Sequence, residues 1–449
     1  MTDTPIIIRR GRQVDAERST GFTFCEDDLQ LKAFPAELAD IKKQAWEAYL
    51  KHRLPTTGEE AWRRTDLAKF DPGQFRFSVA GQHKGIATVP AEMLAPLTGK
   101  EHAGQIILNG VDSSIRVSPE LKKIGVVFDT FEHLKKENPA LLAQYLGKIV
   151  KPEEGIFPAM VEALARDGIL LYVPENVKVE QPLHSLLWGS TGKIAYLSHL
   201  VVVLEKNAAL TYIHETASPE ENADPAMHAG VVEIHVGENA EMKFVELQSL
   251  GKNVWNFTNE RVRVERNGKV EWIFGAIGSR LTKNFTDLDL AGEGATGKMS
   301  GFYFTNGIQH LDHDTQQNHL APHTTSDLLF KGALLDHSRS VWQGMIYVAP
   351  EAQKTDGYQA NRNLILSKNA HADSIPGLEI LADDVRCTHG ATVGKIDPDE
   401  VFYLRSRGVP RKEAERLIVE GFFDPIMQRI PFEGVRNRFQ EYIHDKMAV

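Results

Sequence analysis

The sequence predicts a mainly β protein, with a right-handed parallel β-helix core and α-helical N-terminal and C-terminal regions. Near both ends of the chain, apolar residues recur every three or four positions, as on one face of a helix. From about Gly168 to Lys395 they alternate instead, and one short pattern returns at intervals of roughly 30 residues, a period typical of solenoids. The expected regions are 1–167, 168–396 and 397–449.

The N-terminal region contains three segments with helical periodicity. In the first, Pro35 suits a helix start and the apolar residues before Leu50 share one face: Leu38, Ile41, Ala45 and Tyr49. Two shorter stretches, 141–146 and 160–165, show the same spacing. The sequence between them is ambiguous.

The repeat in the β region consists of three segments that superimpose without gaps, 202–213, 234–245 and 262–273. Each segment turns at an asparagine and carries an aromatic residue five positions later. The turn residues are Asn207, Asn239 and Asn267, and the aromatic residues are Tyr212, Phe244 and Trp272.

Asparagine and glycine tolerate a left-handed backbone and therefore mark sharp corners. Gly294 is expected to mark a fourth copy and Asn369 a later, weaker one. Equivalent corners at this spacing favour a β-helix. A chain of ordinary hairpins remains the alternative, because Asn-Gly and Asn-Ala also form hairpin turns.

The C-terminal region is predicted to contain two helices. Pro410 fits the first turn of one, whose face carries Ala414, Leu417 and Ile418, and Gly421 is a suitable stop. The second helix carries the apolar stripe Val435, Phe439, Tyr442 and Ile443.

Composition and charge exclude several classes of protein. The 51 basic and 61 acidic residues give a net charge of −10, which disfavours nucleic acid as a partner. Only two cysteines occur, Cys25 and Cys387, so a disulfide scaffold is excluded and a reducing cytoplasm is expected. Two thiols are too few to hold an iron–sulfur cluster alone. Neither a signal peptide nor a membrane-spanning apolar run is readable, so no membrane partner is expected.

Two motifs could suggest a nucleotide or metal site. The glycines Gly292, Gly294 and Gly297 satisfy Gly-x-Gly-x-x-Gly, but the residues after them read as a strand and not as the required helix. A glycine-rich corner is therefore expected. His310, His313, His319 and His323, with Asp312 and Asp314, could bind zinc or iron. Their spacing matches no zinc signature, so hydrogen bonding in the core or at an interface is the expected role.

A further pair of motifs lies near the end of the β region. Adjacent acids, Asp383 and Asp384, keep a β-helix polysaccharide lyase or hydrolase as the alternative function. Cys387 and His389 lie two apart, so on a strand both side chains project to one face and could meet one metal or partner. A buried structural cysteine beside a hydrogen-bonded histidine is the other interpretation.

Several short blocks of the sequence around Cys387 form a recognisable set. They are 331–336, 344–348, 352–356, 359–365, 376–380, 382–394 and 402–408, and residues 59–65 add an N-terminal match. In these blocks the chain resembles the SufB/SufD family of iron–sulfur cluster assembly proteins, and its SufD branch more than its SufB branch. The SufB branch has a cysteine where this chain has His371 and a glutamate where it has Gly390.

This resemblance implies a parallel β-helix that pairs with SufB through the two β-helix cores. It also implies that the C-terminal helices dock the ATPase SufC, and the predicted docking residues are Phe402, Leu417, Ile418, Phe422 and Phe423. The alternative is that the apolar stripe of these helices packs on the chain's own β-helix. His389 matches a histidine that the family places at the subunit interface, beside the nascent cluster. Cys387 matches the cysteine next to it, and its role is expected to be smaller. Such complexes can bind reduced flavin (FAD).

A site shared between two subunits would explain how a chain with two cysteines serves cluster chemistry. The chain is therefore expected to be a non-catalytic scaffold subunit. Alone, it should bind no stable cluster and hydrolyse no ATP, and it could pair with itself as a homodimer. A transient cluster or iron would form only at the SufB–SufD interface.

Overall fold

A computed structural model of the chain describes residues 20–77, 89–90, 93, 102–109, 112–189, 192–220, 224–430 and 432–448. The described helices are α1 (Ala36–Tyr49), α2 (Pro119–Lys123), α3 (Phe131–Glu137), α4 (Pro139–Tyr145), α5 (Ile156–Leu164), α6 (Pro398–Ser406), α7 (Arg411–Met427) and α8 (Glu433–Ala448). Short 3-10 helices cover Glu26–Leu29, Leu31–Ala33, Glu60–Trp62, Pro72–Gln74 and Pro152–Glu154.

The strands are short and evenly spaced. They are β1 (Gly104–Leu108), β2 (Ser113–Val117), β3 (Val127–Thr130), β4 (Ile169–Val173), β5 (Leu183–Trp188), β6 (Ala195–Leu204), β7 (Ala209–Ala217), β8 (Ala226–Val236), β9 (Glu241–Ser249), β10 (Val254–Val264), β11 (Lys269–Ala276), β12 (Leu281–Leu290), β13 (Thr296–Thr305), β14 (His310–His319), β15 (Thr325–Leu334), β16 (Arg339–Val348), β17 (Asp356–Ile365), β18 (His371–Ile380) and β19 (Arg386–Lys395).

From β4 to β19 the strands alternate between two facing sheets. Odd-numbered strands pair in parallel in one sheet and even-numbered strands in the other, so each pair of consecutive strands makes one coil. Each coil stacks on the next through parallel hydrogen bonding, with β19 and β18 as the last strands of the two sheets. The predicted parallel β-helix is confirmed, and the structure shows that it has about eight coils. The hairpin alternative is wrong.

The predicted asparagine corners are confirmed. Asn207, Asn239 and Asn267 have φ angles of 57°, 54° and 52°, and each backbone N–H donates to a carbonyl in the turn of the following coil. Gly294, with φ 73°, is the next corner in the same column. Asn369 is not part of this column, because it lies in the turn from β17 to β18, at the opposite edge of the coils.

The β-helix interior is apolar through most of its length and contains the repeated aromatic residues. Tyr212, Phe244 and Trp272 are register partners on adjacent strands and are fully buried. Their ring centroids lie 5.9 and 5.4 Å apart in sequence order. The predicted inward position of the aromatic residue is therefore confirmed.

The N-terminal region packs on the outside of the even-numbered sheet. Trp62 contacts the rings of Phe157, Phe257 and Phe285, and Thr65 Oγ1 lies 3.0 Å from His310 Nε2. Strands β1 to β3 were not predicted. They are only four or five residues long, too short for a periodic pattern to identify them.

Both C-terminal helices are confirmed, but α7 continues through Gly421 to Met427. Phe423, Ile426 and Met427 follow Gly421 and are buried against the β-helix, so tertiary packing overrides the local stop signal. Of the helices that the structure describes, none combines the length and the apolar composition that crossing a bilayer requires.

Candidate functional site

The last coil of the β-helix, formed by β18 and β19, is open on its outer side. No described strand pairs with the outer edge of either β18 or β19. The coil exposes a group of large apolar side chains, which are Leu378, Ile380, Leu381 and Val393. Unpaired strand edges that carry apolar residues are typical of surfaces that pair with another chain.

Cys387 and His389 lie on β19 at positions whose counterparts in the preceding coil face the interior of the β-helix. Their register partners on β17 are Gly357 and Gln359, and both of these residues are buried. Because β17 is covered by another strand and β19 is not, the same columns become accessible at the last coil. Cys387 is half-buried and His389 is exposed.

The Cys387 thiol points toward the interior. A methyl group placed on Gly357 would lie 3.3 Å from both the Cys387 Sγ and the His319 Nε2. Burial raises the pKa of Cys387, although a hydrogen bond from the Gly357 backbone acts in the opposite direction. At neutral pH the thiol is therefore largely protonated, which makes it a weak nucleophile and metal ligand.

The His389 imidazole is held less firmly. It makes no hydrogen bond or ion pair with the part of the chain that the structure describes, and both ring nitrogens are available to a partner or ligand. His371, which with Gly390 distinguishes the two branches of the resembled family, begins β18 at the opposite corner of the coil. Its Nε2 lies 3.1 Å from Asp373 Oδ1.

The predicted docking residues fall into two groups. Phe402 lies on α6, which has no buried residue, and it is 72% exposed. Leu417 is also exposed, whereas Ile418 and Phe422 line a groove between α6 and α7. Phe423 is fully buried, with its ring 6.1 Å from that of Phe302. Phe423 therefore belongs to the chain's own core and is left out of the docking surface.

Two histidines of the histidine-rich stretch on β14, His313 and His319, are fully buried. His319 lies 2.8 Å from both Thr324 Oγ1 and Ser326 Oγ, and His313 packs among aromatic rings. Burial lowers the pKa of His313 to about 3 and that of His319 to about 4. Among the described residues, no three His, Cys, Asp or Glu side chains are placed to hold a metal ion. The expected hydrogen-bonding role is confirmed for His319 but not for His313, whose two ring nitrogens have no hydrogen-bond partner among the described residues.

The glycine motif and the acidic pair are both turn elements. Gly294 occupies the left-handed corner between β12 and β13, and a strand follows it, as predicted. Asp384 lies in the exposed turn before β19 and forms an ion pair with Lys354 of the neighbouring turn.

Sequence reasoning missed the residues that fasten α8 to the β-helix. Lys446 Nζ donates to the carbonyl oxygens of Ile277 and Phe304, at 2.7 and 2.6 Å, and to Gln309 Oε1 at 2.9 Å. Arg438 pairs with the buried Glu215. A lysine and an arginine near the end of a chain carry no sequence signal that distinguishes them from ordinary surface residues.

Comparisons with known proteins agree with this architecture. The SufBD core domain of the SUF system for iron–sulfur cluster assembly matches residues 187–422, and the SufBD N-terminal region matches residues 22–184. The iron–sulfur cluster assembly protein SufD of Bacillus subtilis is 32% identical, over 94% of this chain and 98% of its own length. The SufB protein of the same organism is 27% identical, over 93% and 91%.

A SufBD family protein of Staphylococcus saprophyticus is 29% identical over the same shares, 93% of this chain and 91% of the relative. The matched regions cover nearly the whole chain, including the β-helix, its open last coil and the N-terminal region that packs against it. The chain therefore belongs to the SufBD family of iron–sulfur cluster assembly proteins.

Proposed function

We propose that this chain is the SufD-like subunit of a SufB–SufC–SufD complex that assembles iron–sulfur clusters. The observation that carries the proposal is the open last coil, where Cys387 and His389 become accessible beside two unpaired strand edges. The higher identity to the Bacillus subtilis SufD than to its SufB supports the same assignment. His371 and Gly390, at the two positions that distinguish the branches, agree with it.

The last coil would pair with the corresponding coil of SufB. Burial of Leu378, Ile380 and Val393 would drive this contact, and the unpaired edges of β18 and β19 would supply backbone hydrogen bonds. Pairing would also enclose the space above Cys387 and His389, so that a site lying between the two subunits excludes bulk water.

His389 would contribute an imidazole ligand to iron or to the nascent cluster. A single imidazole binds iron weakly, so SufB must supply thiolate and further ligands across the interface. Cys387 would play a smaller part, because its burial favours the protonated thiol. The cluster is the product of the complex and not a resident group of this chain.

The C-terminal helices would dock the SufC ATPase through Phe402 on α6 and through Leu417, Ile418 and Phe422 on α7. Because α7 and α8 also pack on the β-helix, movement of the docked ATPase would be transmitted to the core. Reduced FAD stays a prediction for the assembled complex, and no step of the proposal uses it.

The proposal is tested by co-expression with SufB and SufC. We expect the three proteins to co-purify and to form a cluster on anaerobic reconstitution with iron and a sulfide source, with the visible absorbance of an iron–sulfur chromophore. This chain alone should give no stable chromophore under the same conditions. Failure to co-purify with SufB, or an equal chromophore on the isolated chain, would contradict the proposal.

A further inference from the structure

A cavity of about 420 Å³ lies at the beginning of the β-helix, at the far end from Cys387. This volume falls within the roughly 300–1,000 Å³ of small-molecule sites. One wall is the start of β6, and the opposite walls come from α1, α3 and the segment that connects α5 to β4. The cavity is independent of the proposed cluster site.

The strand register explains why the cavity exists. Strand β8 pairs with all of β6, whereas β4 begins at Ile169 and pairs only from Leu200 onward. The first half of β6, residues 195–199, therefore extends beyond β4. Side chains of the N-terminal region close this gap, among them Phe34 and Phe77.

The cavity wall contains a polar group without a partner. Tyr196 is only 8% exposed, and its hydroxyl has no hydrogen-bond partner among the described residues. Most buried hydroxyls in proteins are hydrogen-bonded, so a buried phenol on a cavity wall indicates a ligand or a bound water. The neighbouring Ser198 hydroxyl, in contrast, lies 2.8 Å from His228 Nε2.

The charges around the cavity balance and are largely engaged. Its basic residues are Lys42, Lys135 and Arg166, and its acidic residues are Asp112, Glu132 and Asp167. Lys42 Nζ donates to the carbonyl oxygens of Ala163 and Ala165, both at 2.9 Å. Lys135 pairs with Glu132. The lining therefore favours a ligand without net charge.

The apolar part of the lining is aromatic and aliphatic. The rings of Phe34, Phe77 and Tyr196 line the cavity together with Leu108, Ile169 and Leu187. Such surfaces favour flat ring systems, which bury large apolar areas with little loss of conformational freedom.

From this geometry we infer a binding site for a small, uncharged ring compound that carries one hydroxyl or carbonyl group. The ring packs against the aliphatic side chains of Leu108, Ile169 and Leu187, because Lys42 and Lys135 already lie over the Phe34 ring and Arg166 over the Phe77 ring. Its oxygen forms a hydrogen bond with the Tyr196 hydroxyl. The competing explanation is that the Tyr196 hydroxyl binds a water molecule. In that case the cavity would show no preference among ring compounds.

The test is isothermal titration of the full-length chain with three matched probes, 2-naphthol, naphthalene and 2-naphthoate. We expect 2-naphthol to bind one per chain and about five- to tenfold more tightly than naphthalene, because only the naphthol hydroxyl can pair with Tyr196. The charged 2-naphthoate should bind more weakly than 2-naphthol.

Tyr196→Phe should abolish the preference for 2-naphthol while leaving naphthalene binding unchanged. Tyr172→Phe is the matched control, since Tyr172 lies on β4 beside Tyr145 and outside the cavity lining, and it should retain the preference. Three results would overturn the inference: no binding of 2-naphthol, a preference that survives Tyr196→Phe, or tighter binding of 2-naphthoate than of 2-naphthol.

Discussion

His389 on β19 is the register partner of Gln359 on β17, and the two residues show what changes at the last coil. The Gln359 side chain is fully buried, and its Nε2 donates to the Gly377 carbonyl oxygen at 2.8 Å. His389 occupies the same column one coil later and is exposed. A position that is buried in the preceding coil is therefore accessible at the last coil, where no described strand covers it.

The two cysteines should differ in reactivity. Cys25 is exposed, whereas Cys387 is half-buried with a raised pKa. Iodoacetamide at pH 7.5 should therefore alkylate Cys25 first, and a Cys25→Ser chain should show Cys387 alkylation that rises only at higher pH. Peptide mass spectrometry measures both rates, and equal rates at pH 7.5 would contradict the assigned burial.

Cys387→Ser should reduce cluster yield less than His389→Ala does.

Point mutations should distinguish the proposed docking surface, through SufC retention, from the core, through stability. Phe402→Ser should reduce retention of SufC in a pull-down without lowering the unfolding temperature, because Phe402 is exposed. Phe423→Ala should lower stability by about 3–5 kcal/mol, since it leaves a cavity beside Phe302. Ile308→Ser, an exposed apolar residue elsewhere, is the control for Phe402. Unchanged SufC retention by Phe402→Ser would count against this surface.

The asparagine column predicts a backbone effect. Asn239→Val should destabilise the chain by about 1–2 kcal/mol, because a β-branched residue is poorly tolerated at its φ of 54°. Asn239→Gly can adopt the same left-handed backbone and loses the side-chain hydrogen bonds to Asn207 and Asn267, both 3.2 Å, and a longer one to Glu238, so it should cost less. Urea denaturation compares the two, and an equal loss would show that the side-chain bonds dominate.

A buried acid pair predicts pH-dependent stability. Burial raises the pKa of Glu246 well above its usual range, and the adjacent Glu260 raises it further. The folded chain then keeps a proton that the unfolded chain releases. The stability that this proton contributes is complete below the unfolded pKa and is lost as pH rises through the folded pKa.

Glu246→Gln should therefore change the unfolding midpoint little at pH 5 and raise it at pH 9, because the amide is uncharged and can still accept the Trp272 Nε1–H bond. The surface substitution Glu47→Gln is the control and should leave the pH profile unchanged. A Glu246→Gln profile parallel to that of the parent chain would show that this pair does not titrate as described.

The β-helix could be predicted from the sequence because the residues that repeat from coil to coil are ones that its backbone and interior require. The left-handed corner of each coil favours asparagine, at Asn207, Asn239 and Asn267. The apolar interior favours the aromatic residues that follow them. Asn369 carried the same local signal at the opposite edge, because a turn motif does not encode which edge it occupies. Gly421 failed as a stop for a related reason, since the burial of Phe423 and Ile426 is a tertiary effect.

The candidate site was predictable in part. The spacing of Cys387 and His389 gave their shared face, but not the contrast between a half-buried thiol and an exposed imidazole, which depends on where the coils end. The Tyr196 cavity had no sequence signal. It arises from the register between β4 and β6, which only the folded chain defines.

The most direct test of the central claim is cluster content in the co-purified SufB–SufC–SufD complex after anaerobic reconstitution, measured for His389→Ala against the matched surface control Thr388→Ala. We predict that both complexes assemble and retain ATPase activity, and that only His389→Ala lowers the iron and sulfide bound per complex. An intact His389→Ala complex with unchanged cluster yield would contradict the ligand role, and loss of SufB pairing would show instead that His389 is structural.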